Sequence, residues 1–533
     1  MKKGLASGFI LLASVCCARI GYATTFLQVY SQAARNDPVF VKAEATWQSQ
    51  KMNLPIARSA YLPQLAITGN GARNYDFYDP PSLSTINDYN WSYGYGLTIT
   101  QPIFDLSAWN SIKSAGAAVK AATATYLFAQ QTLMQRTAQA YFGVLKAYEV
   151  LFYTIQNKNA VWKQYVSSQK KYRAGLIAIM DMYDAQSRYD QVLAQEITAR
   201  NTLSDKLENL HEITGHYYKI LNGFNDNIPL MTPRPKNKNA WTTIAVKQNY
   251  SLEAQRYNVV AAMDKIKQQS AGDMPTLDLA GGYSQAYAND EIGDNTVVDS
   301  ATLGLNLAYT PIQGGLVYAS TKQARYNYVA ASAELNVIYR QVVNQTHNSY
   351  TGVIANIDRV DIDKLRIVSA KKALVATEAG LKVGARTMVD VLNDLTTLYQ
   401  AQQQYVDDRY LYLSDFIDLK VAAGTLTQTD LLQINHWLTR SIVLPRSDVK
   451  VKSEILSSDK PVKPNELTSD VPVKSDVAPA PSSDSSIKSN IAPLPAPATP
   501  HLTPLPSHTP INKPIIPAPQ QSNANIDSRI LNA

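Results

Sequence analysis

Hydrophobic and polar residues alternate strictly along residues 91–100 of this chain. Every odd-numbered position there is Trp, Tyr, Leu or Ile, and every even-numbered position is Ser, Gly or Thr. A period of two predicts a β-strand with one apolar face and one small polar face, as expected of a strand that faces lipid on one side. Three other segments repeat the pattern less regularly, and soluble hairpins are the alternative that these segments leave open. The predicted strands are residues 65–77, 91–101, 277–287 and 301–310.

Most of the remaining chain has the pattern of long helices. Residues 107–173 contain no proline, and apolar residues recur there every seven positions from Ile112 onward. A seven-residue repeat is typical of helices that pack side by side. Gly175 and Gly384 mark tight turns between helices, because glycine readily adopts the left-handed conformation that ends a helix. The predicted helices are residues 107–173, 180–211, 317–382 and 387–423.

One long unit occurs twice in the chain. The matching pairs, each separated by 209 residues, are Pro102 and Pro311, Tyr141 and Tyr350, Gly175 and Gly384, Asp181 and Asp390, and Gly215 and Gly424. An internal repeat is considered before other sequence signals, because it indicates how the whole fold is organised. The predicted division is a first structural repeat at 24–216, a linker at 217–241, a second repeat at 242–424 and a C-terminal segment at 425–444.

The N-terminus indicates secretion. Residues 4–18 form an uncharged, mostly apolar run, and positions 21 and 23 carry small residues suited to cleavage. This pattern predicts a signal peptide at residues 1–23, because about 15 apolar residues are too few for a membrane anchor. Cys16 and Cys17 are the only cysteines of the chain, so the mature protein is predicted to contain no disulfide.

A secreted chain without a long apolar helix can still cross a membrane as a closed β-barrel. Four strands are too few to close one, because the outer strands would present unpaired backbone groups to lipid. Two, three or four chains would supply eight, twelve or sixteen strands. The strand pattern itself does not choose among these numbers.

The last part of the chain, residues 445–533, has a different composition. It is rich in Pro, Ser, Asp and Lys, and no aromatic residue follows Trp437. Such a segment cannot bury enough apolar surface to offset the entropy of ordering, so it is predicted to be disordered. Docking to a partner protein or to peptidoglycan is the functional alternative for this tail.

Charge and motif content exclude several classes of function. The net charge is +7 over 533 residues, and no basic cluster is interleaved with aromatic residues, so nucleic-acid binding is not predicted. The six histidines lack the spacing of metal ligands, and no phosphate loop or nucleophile elbow is present. No enzymatic activity, metal or cofactor is therefore predicted. A transport duct and a periplasmic structural or adaptor coiled-coil protein remain as the two candidate classes.

Four sequence motifs carry a resemblance to a known family. Residues 379–393 read Ala-Gly-Leu-Lys-Val-Gly-Ala-Arg-Thr-Met-Val-Asp-Val-Leu-Asn, and residues 172–181 read Tyr-Arg-Ala-Gly-Leu-Ile-Ala-Ile-Met-Asp. With Leu-Pro-Gln-Leu at 62–65 and Gln-Pro-Ile-Phe at 101–104, they resemble the TolC family of outer-membrane efflux ducts. The resemblance covers essentially the whole predicted folded body.

This resemblance implies an α+β membrane protein located in the cell outer membrane. Three identical chains would each supply four strands to a twelve-stranded β-barrel, which a long α-helical coiled-coil tunnel would continue into the periplasm. An equatorial domain would use residues 217–241 and the stretch after Gly424. The resemblance thus implies one arrangement among those that the strand pattern leaves open.

The resemblance also implies a function and a set of partners. The assembly would be a passive, gated exit duct of tripartite efflux pumps, of type I secretion, or of both, and it would carry drugs, toxic compounds or secreted proteins. The expected partners are outer-membrane lipid, a periplasmic adaptor (membrane fusion) protein and an inner-membrane pump of the RND, ABC or MFS type. The cargo is not named by the sequence, because a passive duct takes its specificity from the pump.

The family's gate residues match positions at the two predicted helical turns. Asp390 matches an aspartate that, repeated by threefold symmetry, rings the constriction with carboxylates and favours bound cations. Arg386 matches an arginine whose bond to the neighbouring turn, at Asp181 and the preceding Met180, helps to hold the tip shut. The resemblance therefore implies a carboxylate ring and a latch.

Three positions depart from the family's pattern. Asn393 stands where the standard form has a second ring aspartate, Leu381 where it has a tyrosine, and Met180 where it has a threonine. The latch is therefore predicted to be thinner in this chain. Asp184 is the first-repeat counterpart of Asn393, which makes it the candidate for a compensating pore carboxylate.

Overall fold

A computed structural model describes residues 23–78, 81, 86–225, 228–289 and 295–445. All of these residues belong to one compact unit, which ends at Lys452. The predicted signal peptide, apart from Ala23, and the predicted tail, apart from Pro445, lie outside the described residues.

Helices and strands follow one another in two similar runs along the described residues. In chain order they are α1 (Phe26–Asn36), α2 (Pro38–Lys51), α3 (Asn53–Ser59), β1 (Gln64–Tyr78), β2 (Ile86–Phe104), α4 (Leu106–Arg173), α5 (Ile179–Thr214), β3 (Ile220–Phe224), α6 (Lys238–Gln248), α7 (Tyr250–Ser270), β4 (Thr276–Asn289), β5 (Asn295–Ala308), α8 (Leu316–Lys382), α9 (Met388–Ala422), α10 (Gln428–Trp437) and β6 (Leu438–Val443). A short 3₁₀ helix, Ala271–Asp273, follows α7.

The first sheet is antiparallel and has the strand order β1-β2-β4-β5, so β1 and β5 are its outer strands. Leu97 on β2 lies opposite Ile67 on β1 and Tyr283 on β4, which places apolar side chains of neighbouring strands on one face. The four predicted strands are confirmed, and each begins earlier than predicted. The longer extensions, at the starts of β2 and β5, flank the hairpin loops, where backbone pairing continues outside the apolar alternation.

The long helices α4 and α8 are the next long elements after β2 and β5, respectively. They contain 68 and 67 residues, so each is about 100 Å long at about 1.5 Å per residue. Asp105 caps α4, because its carboxylate accepts a hydrogen bond from the Ala108 N–H at 2.9 Å. The four long helices predicted from the sequence are confirmed, with every end within three residues of its predicted place. No helix among the described residues is both long and apolar enough to cross a membrane.

The largest core cluster lies where α1 and the strand pair β3–β6 pack against α4 and α9. Phe26, Tyr141, Phe142, Phe224 and Tyr410 are buried there, and the rings of Phe26 and Tyr141 are 5.2 Å apart. β3 lies within the predicted linker and β6 within the predicted C-terminal segment, and the two strands pair antiparallel. α6 already begins inside the predicted linker. The cluster anchors the long helices near the middle of the chain's folded body.

A second apolar cluster holds the long helices together nearer their turns. Val161 on α4, Val192 on α5, Leu374 on α8, and Val391 and Leu395 on α9 are buried in it. Full burial of one such side chain contributes about 1.5–3 kcal/mol relative to exposure. The cluster therefore joins the hairpin α4–α5 to the hairpin α8–α9 just behind the turns.

Candidate functional site

The two helical turns have the same backbone. Gly175 and Gly384 have φ angles of +70° and +77°. One residue later, Leu176 donates its N–H to the Lys171 carbonyl, and Ala385 donates its N–H to the Gly380 carbonyl, both at 2.9 Å. This bond spans six residues and closes the end of each helix around a left-handed residue. A side chain at either glycine would be strained, so both turns depend on glycine.

Asp390 belongs to a capping box at the start of α9. Its N–H donates to the Thr387 hydroxyl at 3.2 Å, and its carboxylate accepts the Thr387 N–H at 3.0 Å. The Thr387 N–H and hydroxyl hold the pKa of Asp390 below its ordinary value, and the Arg386 charge adds a smaller effect. The resemblance pointed only to a pore role, although the spacing Thr-x-x-Asp is itself a signal for a helix start. The carboxylate is therefore ionised and also stabilises the second turn.

The first turn has no such cap. Ala178 occupies the position that Thr387 has in the second turn, and its methyl side chain makes no capping hydrogen bond to the start of α5. Asp181 lies in the first turn of α5, where a negative charge favours the helix N-terminus. The two turns thus share a backbone and differ in what holds the following helix.

The predicted latch residues differ in their exposure and contacts. Met180 is 72% exposed, whereas Leu381 is half-buried and packs against the second apolar cluster. The Arg386 side chain folds over Gly380, where an added Cβ would come within 2.8 Å of the Arg386 Cγ. Within the described residues of a single chain, no ion pair joins Arg386 to Asp181. A bond between turns of neighbouring chains stays a prediction.

Asn393 has a partner that the sequence did not indicate. Arg188 on α5 donates from Nη2 to the Asn393 Oδ1 at 3.0 Å, and from Nη1 to the Gln191 Oε1 at 2.7 Å. Asp184 lies one helical turn before Arg188 on the same helix and is exposed. No local pattern could have found this bond, because it joins residues 205 positions apart on different hairpins.

The sheet presents a second candidate functional surface. Its apolar face is largely exposed in one chain: Leu303 is 79% exposed and Ile67 is 75% exposed. Nearer the hairpin loops this face becomes aromatic, and the rings of Tyr93 and Tyr287 stack 4.3 Å apart. Arg73 lies over the ring of Tyr89 at 4.9 Å. An aliphatic band bordered by aromatic residues is the pattern of a sheet that faces lipid.

A family profile described as outer membrane efflux protein matches residues 29–216 and 241–425 of the chain. Outer membrane protein TolC of Salmonella enteritidis is 36% identical over 447 residues, which cover 83% of this chain and 89% of the relative. The chain belongs to the outer membrane efflux protein family. This membership confirms the resemblance found in the sequence, and the two matched ranges coincide with the two predicted repeats to within five residues at every end.

Two further comparisons extend the likeness of this efflux protein. The alkaline protease secretion protein AprF of Pseudomonas aeruginosa is 25% identical over 417 residues, covering 77% of this chain and 86% of the relative. The crystal structure of the Campylobacter jejuni CmeC outer membrane channel superposes with a TM-score of 0.65 at 17% identity, covering 78% of this chain and 90% of that one. The second comparison shows that the fold is shared.

Proposed function

We propose that this efflux protein is one third of a passive exit duct that leads from the periplasm through the outer membrane. Three chains would close their sheets into a twelve-stranded barrel, with the helical hairpins forming a tunnel below it. The observation that carries the proposal is the sheet itself, which has one exposed apolar face, one polar face and two outer strands, β1 and β5.

Pairing β5 of one chain with β1 of the next supports the closed assembly. An open sheet would leave backbone N–H and C=O groups of both outer strands facing hydrocarbon, at a cost of several kcal/mol for each group. Closure removes both edges, directs the aliphatic and aromatic face to lipid, and leaves the face with Ser, Thr, Gly and Asn around an aqueous channel. The strand pattern is compatible with other numbers of chains, and family membership favours three.

The relatives support the cargo classes expected for the duct. TolC proteins belong to the outer membrane by name, and AprF is named for the secretion of an alkaline protease. We therefore assign the chain to export of small toxic compounds, of proteins, or of both. It would work with a periplasmic adaptor and an inner-membrane pump of the RND, ABC or MFS type, which supply energy and select the cargo.

The gate of this duct would lie at the two turns. Three copies of Asp390 converging on the threefold axis would form a carboxylate ring that attracts cations, and within each chain the Thr387 N–H and hydroxyl favour the ionised carboxylate by lowering its pKa. Arg386 of one chain would reach Asp181 of its neighbour and hold the turns together. Opening would then require the hairpins to move apart, while the barrel above stays closed against lipid.

Fractionation and native mass spectrometry test the assembly. The duct should extract with outer membranes and appear as a trimer in detergent. A monomer in the soluble periplasmic fraction would instead support the periplasmic adaptor coiled coil, the alternative class left by the sequence. A dimer or tetramer in the membrane fraction would overturn the strand count but keep the duct.

The carboxylate ring has its own prediction. Asp390→Asn should reduce the cation preference of single channels in planar bilayers and weaken block by multivalent cations added on the periplasmic side, because three negative charges leave the axis. Thr387→Ala is the matched control, since it breaks the same capping box and leaves the carboxylates in place. Equal selectivity in the wild type and Asp390→Asn would show that the ring lies elsewhere.

A further inference from the structure

Arg188 joins the two hairpins of one chain close to the turns. Its Nη2 donates to Asn393 on α9 at 3.0 Å, although α5 and α9 otherwise contact one another sparsely. Its second terminal nitrogen donates to Gln191 on its own helix at 2.7 Å. The bond to Gln191 fixes the orientation of the guanidinium, so Arg188 approaches Asn393 already positioned.

The electrostatic surroundings of this bond are those of the proposed gate. Asn393 follows Asp390 by three residues on α9, and Arg188 follows Asp184 by four residues on α5, so each bonding residue lies one helical turn from a carboxylate. Arginine remains protonated at all ordinary pH values. A permanent positive charge therefore lies one helical turn from Asp184 on α5 and bonds a residue one helical turn from Asp390 on α9.

We propose that Arg188 is a gating and selectivity-determining residue of the duct: through Asn393 it holds the first hairpin against the second in the closed state and offsets part of the negative charge at the constriction. This inference rests on the proposed function, because it takes the turns to form the gate. Leu381 and Met180 carry no side-chain group that could make a strong hydrogen bond. The bond between Arg188 and Asn393 thus supplies a polar connection between the hairpins about two helical turns further from the tip than Met180, and the ion pair of Arg409 with Glu149 lies further away still.

Single-channel recording of Arg188→Gln tests the proposal. Loss of an exposed charge-assisted bond should raise the open probability about threefold for each chain, hence on the order of 30-fold for three chains that open together. Cation preference should increase at the same time, because a positive charge leaves the constriction. Arg188→Lys should restore the selectivity but only part of the closure, since lysine lacks the two-pronged geometry.

Arg200→Gln is the matched control. Arg200 also lies on α5 and is partly exposed, but it bonds Glu196 on its own helix rather than the second hairpin. Its loss should leave open probability and selectivity unchanged. A purely structural effect of removing an arginine from α5 would instead appear in both variants.

Asn393→Asp distinguishes a residue 393 that is held by Arg188 from a residue 393 that only contributes to the ring around the pore. If Arg188 holds residue 393, the new carboxylate forms an ion pair with it, so open probability falls and cation preference rises little. The same substitution combined with Arg188→Gln should raise cation preference clearly. An equal rise in both backgrounds, or unchanged gating in Arg188→Gln, would overturn the proposal.

Amide hydrogen exchange tests the role of Arg188 without relying on channel activity. Amides in the first two turns of α9 should exchange faster in Arg188→Gln and not in Arg200→Gln, because only the first variant frees α9 from α5. If the wild type forms no channel, the proposed function fails, and unchanged exchange in Arg188→Gln would still refute the inference by itself.

Discussion

The two predicted repeats place an arginine at the same position of their returning helices, and the two arginines have different roles. Arg409 on α9 is 5% exposed and forms an ion pair with Glu149 on α4, which also accepts a hydrogen bond from Tyr410 at 2.8 Å. Arg200 on α5, 209 residues earlier, is 46% exposed and bonds Glu196 on its own helix. The arginine is present in both repeats. Its neighbours determine whether it links two helices or bonds only within its own helix.

A second difference lies near the middle of the long helices. In the second repeat, Asp363 on α8 and Asp408 on α9 are buried against one another, and burial together with the Asp408 carboxyl raises the pKa of Asp363 to about 6. The matching positions of the first repeat hold Thr154 and Ala199, which carry no charge. The second hairpin therefore contains a pH-sensitive contact that the first lacks.

The comparison shows that the two repeats can share helix lengths and turn geometry while matching residues have different roles. Helix bounds and turn geometry agree between the repeats because they depend on local residues such as the turn glycines. Ion pairs and caps differ because they depend on single substitutions and on which helix packs alongside. Variants that exchange residues between matching positions can test this division directly.

The largest effect is expected at the buried arginine. Arg409→Met should lower the stability by about 3–5 kcal/mol, because Glu149 would keep a largely buried negative charge without the arginine that balances it, whereas Arg200→Met should cost less than about 1 kcal/mol. Denaturant unfolding followed by helical ellipticity in detergent measures both. Adding Glu149→Leu to Arg409→Met should recover most of the loss, and equal costs for the two single variants would remove the distinction between the repeats.

The carboxyl pair should give a smaller, pH-dependent effect. Asp363→Thr should stabilise the protein at pH 7.5 by about 1.5 kcal/mol, after allowance for solvent near the pair. A raised pKa means that the folded protein binds the proton more tightly than the unfolded chain, so wild-type stability rises as pH falls from about 7 toward 4. The variant should lose part of that rise and not all of it, because burial also raises the pKa of Asp415 to about 6.

Thermal melting at several pH values measures this effect. Asp358→Thr provides a control on α8, because Asp358 is an exposed residue of the same helix. A variant at Asp363 that destabilises the protein at pH 7.5 would show that the carboxyl pair is held mainly ionised.

The smallest effect is expected from exchanging the caps of the two turns. Thr387→Ala should weaken the start of α9 by about 1 kcal/mol, so its first amides should exchange about fivefold faster. Ala178→Thr should strengthen α5 by a similar or smaller amount, because Ala178 has the extended backbone of a cap residue and Asp181 lies three positions later. Unchanged exchange near residue 181 in Ala178→Thr would show that geometry alone does not make the cap.

The long elements could be predicted from the sequence because their signals are local and repeated. Alternation along β2 and the seven-residue repeat along α4 each extend over many residues, so chance agreement is small. The spacing Thr-x-x-Asp at Thr387 also indicates the capping box by itself, and the role in the pore that the family resemblance implies for Asp390 does not include this contact. The Arg188–Asn393 bond could not be predicted from the sequence, because no sequence rule connects two residues on separate hairpins.

By itself the sequence determined the strands, the long helices, the glycine turns and the family. These depend on periodicity and on backbone conformations that one residue type favours. Only the tertiary structure decided that Arg409 is buried while Arg200 is exposed, that Asp363 shares its site with Asp408, and that Arg188 reaches Asn393. The physical reason is that burial, pairing and charge depend on which helices pack together, and packing is a property of the whole fold.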